Sequence, residues 1–328
     1  MEDKEYTQYQ EDVNNTFEAA MGNKEQEKKP SLGHVDVTRN RNHQVDENDP
    51  EYIKMKQFAG YVDLPLENLP SAGRFYREDF NIKIRPALVK EIRNFSMIDE
   101  NNIQDVDEKL NDILVSCVKV SYGETMGSYK DILEEDRLYV ILSVRELTFK
   151  NGENKIMMPT SKKCECGGCA ESYELKTDNI QCYTPDEEVE KYYDPTVRGY
   201  RILTKSYGEI VMAPPTVGVM RAITDWARKK EEEHKQWDKS LFQIVPYLVR
   251  EWRGFDERNI MAFATSIAGW DAKKFSIVFK MAEKIKVGVK PEFTYTCEKC
   301  GGNVTVPLSF QAGLRNLFVI SDITDELL

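Results

Sequence analysis

The 328-residue sequence predicts an α+β fold with a mainly helical body, small β-hairpins, and a helical bundle inserted between two of those hairpins. Three observations lead there. Thiols gather in two short turns, each flanked by alternating segments: KKCECGGCAESYEL holds Cys164, Cys166 and Cys169, and TYTCEKCGGNVTVPL holds Cys297 and Cys300. Apolar residues recur with the helical period through several stretches of 15–20 residues. Short period-2 runs bounded by Gly and Pro supply the strands.

The cysteine turns carry the chemistry. Two residues between cysteines let the backbone curl round one ion, so both thiolates reach it at about 2.3 Å. Gly167, Gly168, Gly301 and Gly302 permit the bend. A tetrahedral zinc ion takes four ligands and one turn supplies two, so the two turns are expected to meet on one structural Zn2+. They then form a split, four-cysteine zinc-ribbon-like unit. About 130 residues separate them, against the usual gap of about 15–20. Aligning the turns on their exit strands pairs Cys166 and Cys169 with Cys297 and Cys300 and leaves Cys164 spare. A tighter Cys164–Cys166 pair strains the turn, and reduced surface thiols or a turn that has lost its metal are the plain alternatives. Catalytic zinc is disfavoured: it needs an open position and commonly His or carboxylate ligands, and no histidine lies near either turn.

Composition bounds the partners. A net charge of −11 argues against nucleic-acid backbone or an anionic membrane as the main partner. Seven cysteines, odd in number and grouped in turns, fit a reducing cytoplasm better than a disulfide framework. No signal peptide or apolar span is expected.

Residues 1–50, rich in Glu, Asp, Asn, Gln and Lys, read as a disordered acidic arm. Residues 51–215 are expected to form an α+β domain with the first cysteine turn. There LPSAGRFY (69–76) is irregular and turn-rich. NIKIRP alternates and reads as an edge strand, with Pro86 opening the helix ALVKEIRNF. Asp99 or Asn101 would cap NIQDVDEKLNDILVSCVKV, whose inward stripe is Ile103, Val106, Leu110, Ile113, Leu114 and Cys117. The helix YKDILEEDRLYVILSVRELTF turns Ile132, Leu133, Leu138, Ile141, Leu142 and Phe149 inward and leaves Glu134, Glu135 and Asp136 in water. KIMMP and SYELKT flank the first turn. DEEVEKYYDP is an acidic loop, and RGYRILTKSYGEIVMAPP is a hairpin with Ile202, Leu203, Ile210 and Met212 beside its turn.

Residues 216–287 read as the inserted module of four helices with short loops, for which an antiparallel bundle is the default. Val217, Met220, Ile223 and Ala227 share a face of the first. Pro246 kinks or breaks the second. Asp256 caps the third, and the fourth turns Phe275, Val278, Phe279 and Ala282 inward. Residues 288–328 hold the second cysteine turn and an apolar terminal segment, with Leu314, Leu317, Phe318 and Ile320 needing a surface to dock on. The three histidines, His34, His43 and His234, lie in the arm and on a charged helix. No phosphate loop or nucleophile elbow is present, so no catalytic residue is assigned.

One order of motifs resembles a known family: LPSAGRFY, NIKIRP, YVILSVRELTF, a first cysteine turn, a helical insertion, TYTCEKCGG with VPLSF, and LFVISDI. It is similar to the baseplate hub and hub-assembly proteins of contractile-tailed phages of the T-even type, over residues 60–328. CECGGC departs from the family's plain C-x-x-C-G. The resemblance implies a non-catalytic structural or tail-assembly protein. It would be built in the host cytoplasm, contact other tail and hub subunits, and either remain in the virion baseplate or act only during assembly. The alternative from the residues alone is a zinc-ribbon nucleic-acid-binding accessory protein. Against it, Lys162, Lys163 and Lys299 beside the turns are opposed by Glu165 and Glu298.

Overall fold

In a computed structural model, the described residues are 60–149, 154–157, 166, 172–297, 299–308 and 314–318. The acidic arm, residues 150–153 of the loop KNGEN and most of the first cysteine turn lie outside them. Residues 58–328 form one compact unit. Among the described residues the fold is mixed α+β, with eight α-helices and small antiparallel sheets.

The first sheet runs β1 (Val62–Leu64), β2 (Phe80–Ile84), β3 (Val118–Tyr122), β4 (Thr125–Met126), all neighbours antiparallel. β2 was expected at an edge and instead lies between β1 and β3. Pro86 falls beyond the strand, and the last ladder bond runs from the Arg85 N–H to the Cys117 carbonyl, so the proline removes no donor the sheet needs. Pro86 does not open the helix either: α1 spans Val89–Ser96, and the Glu91 carboxylate accepts the Leu88 N–H at 2.9 Å. Helix α2 spans Ile103–Cys117 and is capped by Asn102, whose side chain accepts the Gln104 and Asp105 N–H groups. Residues 118–120, expected to be helical, begin β3 directly after Cys117. Ile113, Leu114 and Cys117 are buried as the stripe predicts, whereas Ile103, in the first turn, is exposed.

The centre of the fold is α3 (Glu134–Thr148). Its run LYVILSV is apolar on almost every side, so it is covered from several directions. The strand Gly288–Thr296 packs along it, and α2, the helix Val217–Glu232 and a 3-10 turn at Leu314–Phe318 close on other faces. Its acidic start departs from expectation. Asp136 is fully buried and Glu134 and Glu135 are half-buried, because LPSAGRFY folds over the helix end.

β5 (Lys155–Met157) pairs with β6 (Ser172–Glu174), bracketing the first cysteine turn. β7 (Ile180–Tyr183) joins β11 (Gly288–Thr296) and β12 (Asn303–Pro307) in the order β12–β11–β7. The expected acidic loop contains a short helix α4 (Glu187–Glu190) and strand β8 (Tyr193–Asp194). The hairpin β9 (Gly199–Thr204) and β10 (Gly208–Met212) follows, with Ile202, Ile210 and Met212 buried and Leu203 on the solvent face.

Four helices then come in sequence: α5 (Val217–Glu232), α6 (Leu241–Leu248), α7 (Glu257–Ala268) and α8 (Ala272–Lys284). Pro246 sits in α6, which ends two residues later. Val217, Ile223, Ala227, Ile244, Ile260, Val278 and Ala282 are buried, while Phe275 and Phe279 are half-buried and stacked with centroids 6.1 Å apart. Helix α5 packs tightly against the α6–α7 loop at Gly218. A Cβ there would sit 2.5 Å from Cγ of Trp252, at the stem of a ring whose Nε1 donates to Asp131 at 2.6 Å. Gly218→Ala is expected to cost about 1–3 kcal/mol by forcing that ring off Asp131. Urea melts of the two proteins check this, and an unchanged midpoint would show that the ring gives way freely.

Candidate metal centre

β11 and β12 pair down to Thr296 and Asn303, and the six residues Cys297–Gly302 close the hairpin. The Cys297 N–H donates to the Gly302 carbonyl at 2.9 Å, and the Gly301 N–H donates to the Cys297 carbonyl at 2.8 Å. Gly301 takes a φ of +69°, the left-handed conformation that glycine enters without a Cβ clash. The Gly302 N–H lies 3.4 Å from the Cys300 sulfur, a contact that favours the thiolate. This tight turn aims two sulfurs at one point.

The third sulfur comes from the other turn. Cys166 Sγ lies 3.7 Å from Cys297 Sγ, although 131 positions separate them in sequence. The sulfurs of Cys166, Cys297 and Cys300 all lie within 4.8 Å of one another. A disulfide needs about 2.05 Å, so no pair here is bonded. Tetrahedral zinc with bonds of about 2.3 Å places its sulfurs about 3.8 Å apart. The separations therefore suit a shared ion. Cys297 is buried, Cys166 half-buried and Cys300 exposed. Of the four expected ligands the structure brings three together. Cys169, like Cys164, lies outside the described residues. Cys117 is separate: it is buried in the core, and burial pushes its thiol up to about 11, which suits packing rather than ligation.

Residues 62–312 match the family described as T4 bacteriophage base plate protein. The chain belongs to that family. It is thus a structural protein of a phage baseplate. No curated protein and no solved structure matches the chain. Among the described residues, no helix of this baseplate protein is long and apolar enough to cross a membrane.

The segments that carry the baseplate resemblance hold the body together through buried polar contacts. In LPSAGRFY, Ser71 donates its N–H and hydroxyl to Asp136 at 2.9 and 2.6 Å, and the Tyr76 hydroxyl donates to the same carboxylate at 2.8 Å while accepting the Leu133 N–H at 2.9 Å. Burial raises Asp136 to about 6, with these hydrogen bonds opposing the rise. In RELT, each polar side chain ties down a distant segment. Arg145 donates to Asn154 Oδ1 at 2.7 Å and to the Leu317 carbonyl, Glu146 accepts from Thr177, and Thr148 accepts the Ala87 N–H at 2.9 Å. Burial lowers Arg145 to about 10, and its guanidinium lies 4.9 Å from the Phe149 ring centroid.

The sequence reading did not foresee these roles. The one signal for them was Ser143 inside, and Arg145 directly after, the apolar run LYVILSV. In such a setting they need buried partners.

Proposed function

We propose that this protein is a non-catalytic component of the baseplate hub of a contractile tail, and that Cys166, Cys169, Cys297 and Cys300 hold one structural Zn2+. The convergence of three thiols from two remote turns is the observation that carries the zinc reading. In this reading the ion fastens the β5–β6 hairpin to the β11–β12 hairpin. Residues 51–215 and 288–328 then act as two halves of one body, with residues 216–287 inserted between them. The hub assignment rests on the order of motifs from LPSAGRFY to VPLSF within the matched span, with LFVISDI following just beyond it.

Its place in the tail is tested by affinity capture from phage-infected cells, with mass spectrometry of the bound proteins and of purified virions. Hub and central tail subunits are expected to co-purify with the chain. Recovery of peripheral baseplate subunits alone would move the protein out of the hub while leaving its family unchanged.

A further inference from the structure

Beside the start of α3 lies a cleft of about 960 Å3, within the range of about 300–1,000 Å3 typical of ligand sites. Its walls are largely apolar, built by Leu138 of α3, Tyr183 at the end of β7, Tyr247 of α6, and Val287 and Val289 entering β11. A smaller cavity walled by Phe242 and Phe279 shares Tyr247, Glu283 and Lys286 with it, so the two make one groove. Gly288 lets the strand close against the helix start: its φ is +125°, and a Cβ there would lie 3.3 Å from the Glu135 carbonyl oxygen.

We propose that this groove receives a segment of a partner baseplate subunit that seats an apolar side chain between the walls and sets a Lys or Arg head on the groove's carboxylates. The inference deepens the baseplate reading by naming the chemistry of one contact. Three observations support a cationic occupant. Carboxylates outnumber ammonium groups around the cleft, and Lys284 is already committed to Asp186 and Glu188. Glu187 and Glu283 stand exposed at the mouth and make no ion pair among the described residues. Glu135 is poorly satisfied: Oε1 lies 3.5 Å from the Tyr247 hydroxyl, and Oε2 is shielded from solvent with no hydrogen-bond partner.

Burial pushes the Glu135 carboxyl well up, and Glu134 and Asp136 beside it add to the rise. A cationic head nearby offsets both effects. The terminal torsion of a glutamate is soft, so turning an oxygen toward the cleft gives up only the long Tyr247 contact. The same carboxylates repel phosphate-bearing partners.

The test uses the full chain and three blocked dipeptide amides, acetyl-Leu-Arg, acetyl-Leu-Gln and acetyl-Leu-Asp, in ligand-observed NMR titrations. The Arg probe is expected to bind about tenfold more tightly than the Gln probe, the effect of one partly desolvated ion pair. The Asp probe is expected not to bind. Glu187→Gln with Glu283→Gln, both at exposed positions, should weaken the Arg probe several-fold, and Glu135→Gln should weaken it further. Equal affinity for the Arg and Gln probes, no binding of any probe, or indifference to both variants overturns the proposal. None of those outcomes touches capture from infected cells, so a failed groove and a failed hub assignment remain distinguishable.

Discussion

Asp136→Ala is expected to destabilise the fold by about 3 kcal/mol, because three buried donors lose their acceptor at once. The Ser71 N–H, the Ser71 hydroxyl and the Tyr76 hydroxyl all end on this carboxylate, and Asp136 and Ser71 are essentially sealed from water. Asp136→Asn keeps the acceptor for the Ser71 N–H and is expected to cost less, about 1–2 kcal/mol at about pH 7. The same residue gives a pH signature. Its folded value of about 6 lies above the ordinary 3.8 because burial outweighs the hydrogen bonds. Between those values the unfolded chain has released a proton that the folded chain retains. This group's contribution to stability therefore falls as pH rises from about 4 to 6 and is flat above that. The span is about two units, or about 3 kcal/mol. Surface carboxylates held low by lysine or arginine partners, such as Glu190 with Arg74, have the opposite sign, so the contrast with Asp136→Asn isolates the effect. Urea melts from pH 4 to pH 7 should show the wild-type advantage over Asp136→Asn shrinking through that window. An advantage that is constant or growing sinks this account of the site.

The second large effect concerns the metal. The purified chain is expected to carry one zinc per molecule, and Cys297→Ser to lose it. Such an ion would close a loop of 131 positions between Cys166 and Cys297. A covalent link over a loop of about 100 residues stabilises by roughly 4–5 kcal/mol in the chain-entropy view. A metal clip should act on the same scale, with a strong chelator reproducing the effect. Cys117→Ser and Cys182→Ser should keep full zinc content, since neither thiol belongs to the cluster. Metal analysis and thermal melts with and without chelator decide the matter. Zinc-free protein with wild-type stability would reduce the cluster to packed thiols.

The secondary structure was legible where one local rule governed. The period of 113–117, the Asp256 cap, the break after Pro246 and the alternation of β9 and β10 all read directly from neighbouring residues. The meeting of the two cysteine turns was expected from their spacing, and the sulfurs of Cys166, Cys297 and Cys300 do come together. What escaped depends on remote chain. β2 looked like an edge because Pro86 follows it, yet its inner place is set by β3, which comes after two helices. Glu134, Glu135 and Asp136 looked wet because consecutive carboxylates commonly face solvent. The donors that make the burial of Asp136 tolerable are about 60 residues upstream, in a segment that reads only as turns. Leu314–Phe318 was expected to need a surface, and that surface is this chain's own: Phe318 meets Phe95 edge to face at 5.3 Å.

The bond from Arg145 to the Leu317 carbonyl also bears on synthesis. The guanidinium belongs to the central helix, and its acceptor leaves the ribosome 172 positions later. At about 5–20 residues per second, that delay is on the order of 10–30 s. Through it Arg145 awaits the Leu317 carbonyl and Phe95 awaits its aromatic neighbour Phe318. Chains released early would lack both that acceptor and the Phe318 ring that Phe95 packs against.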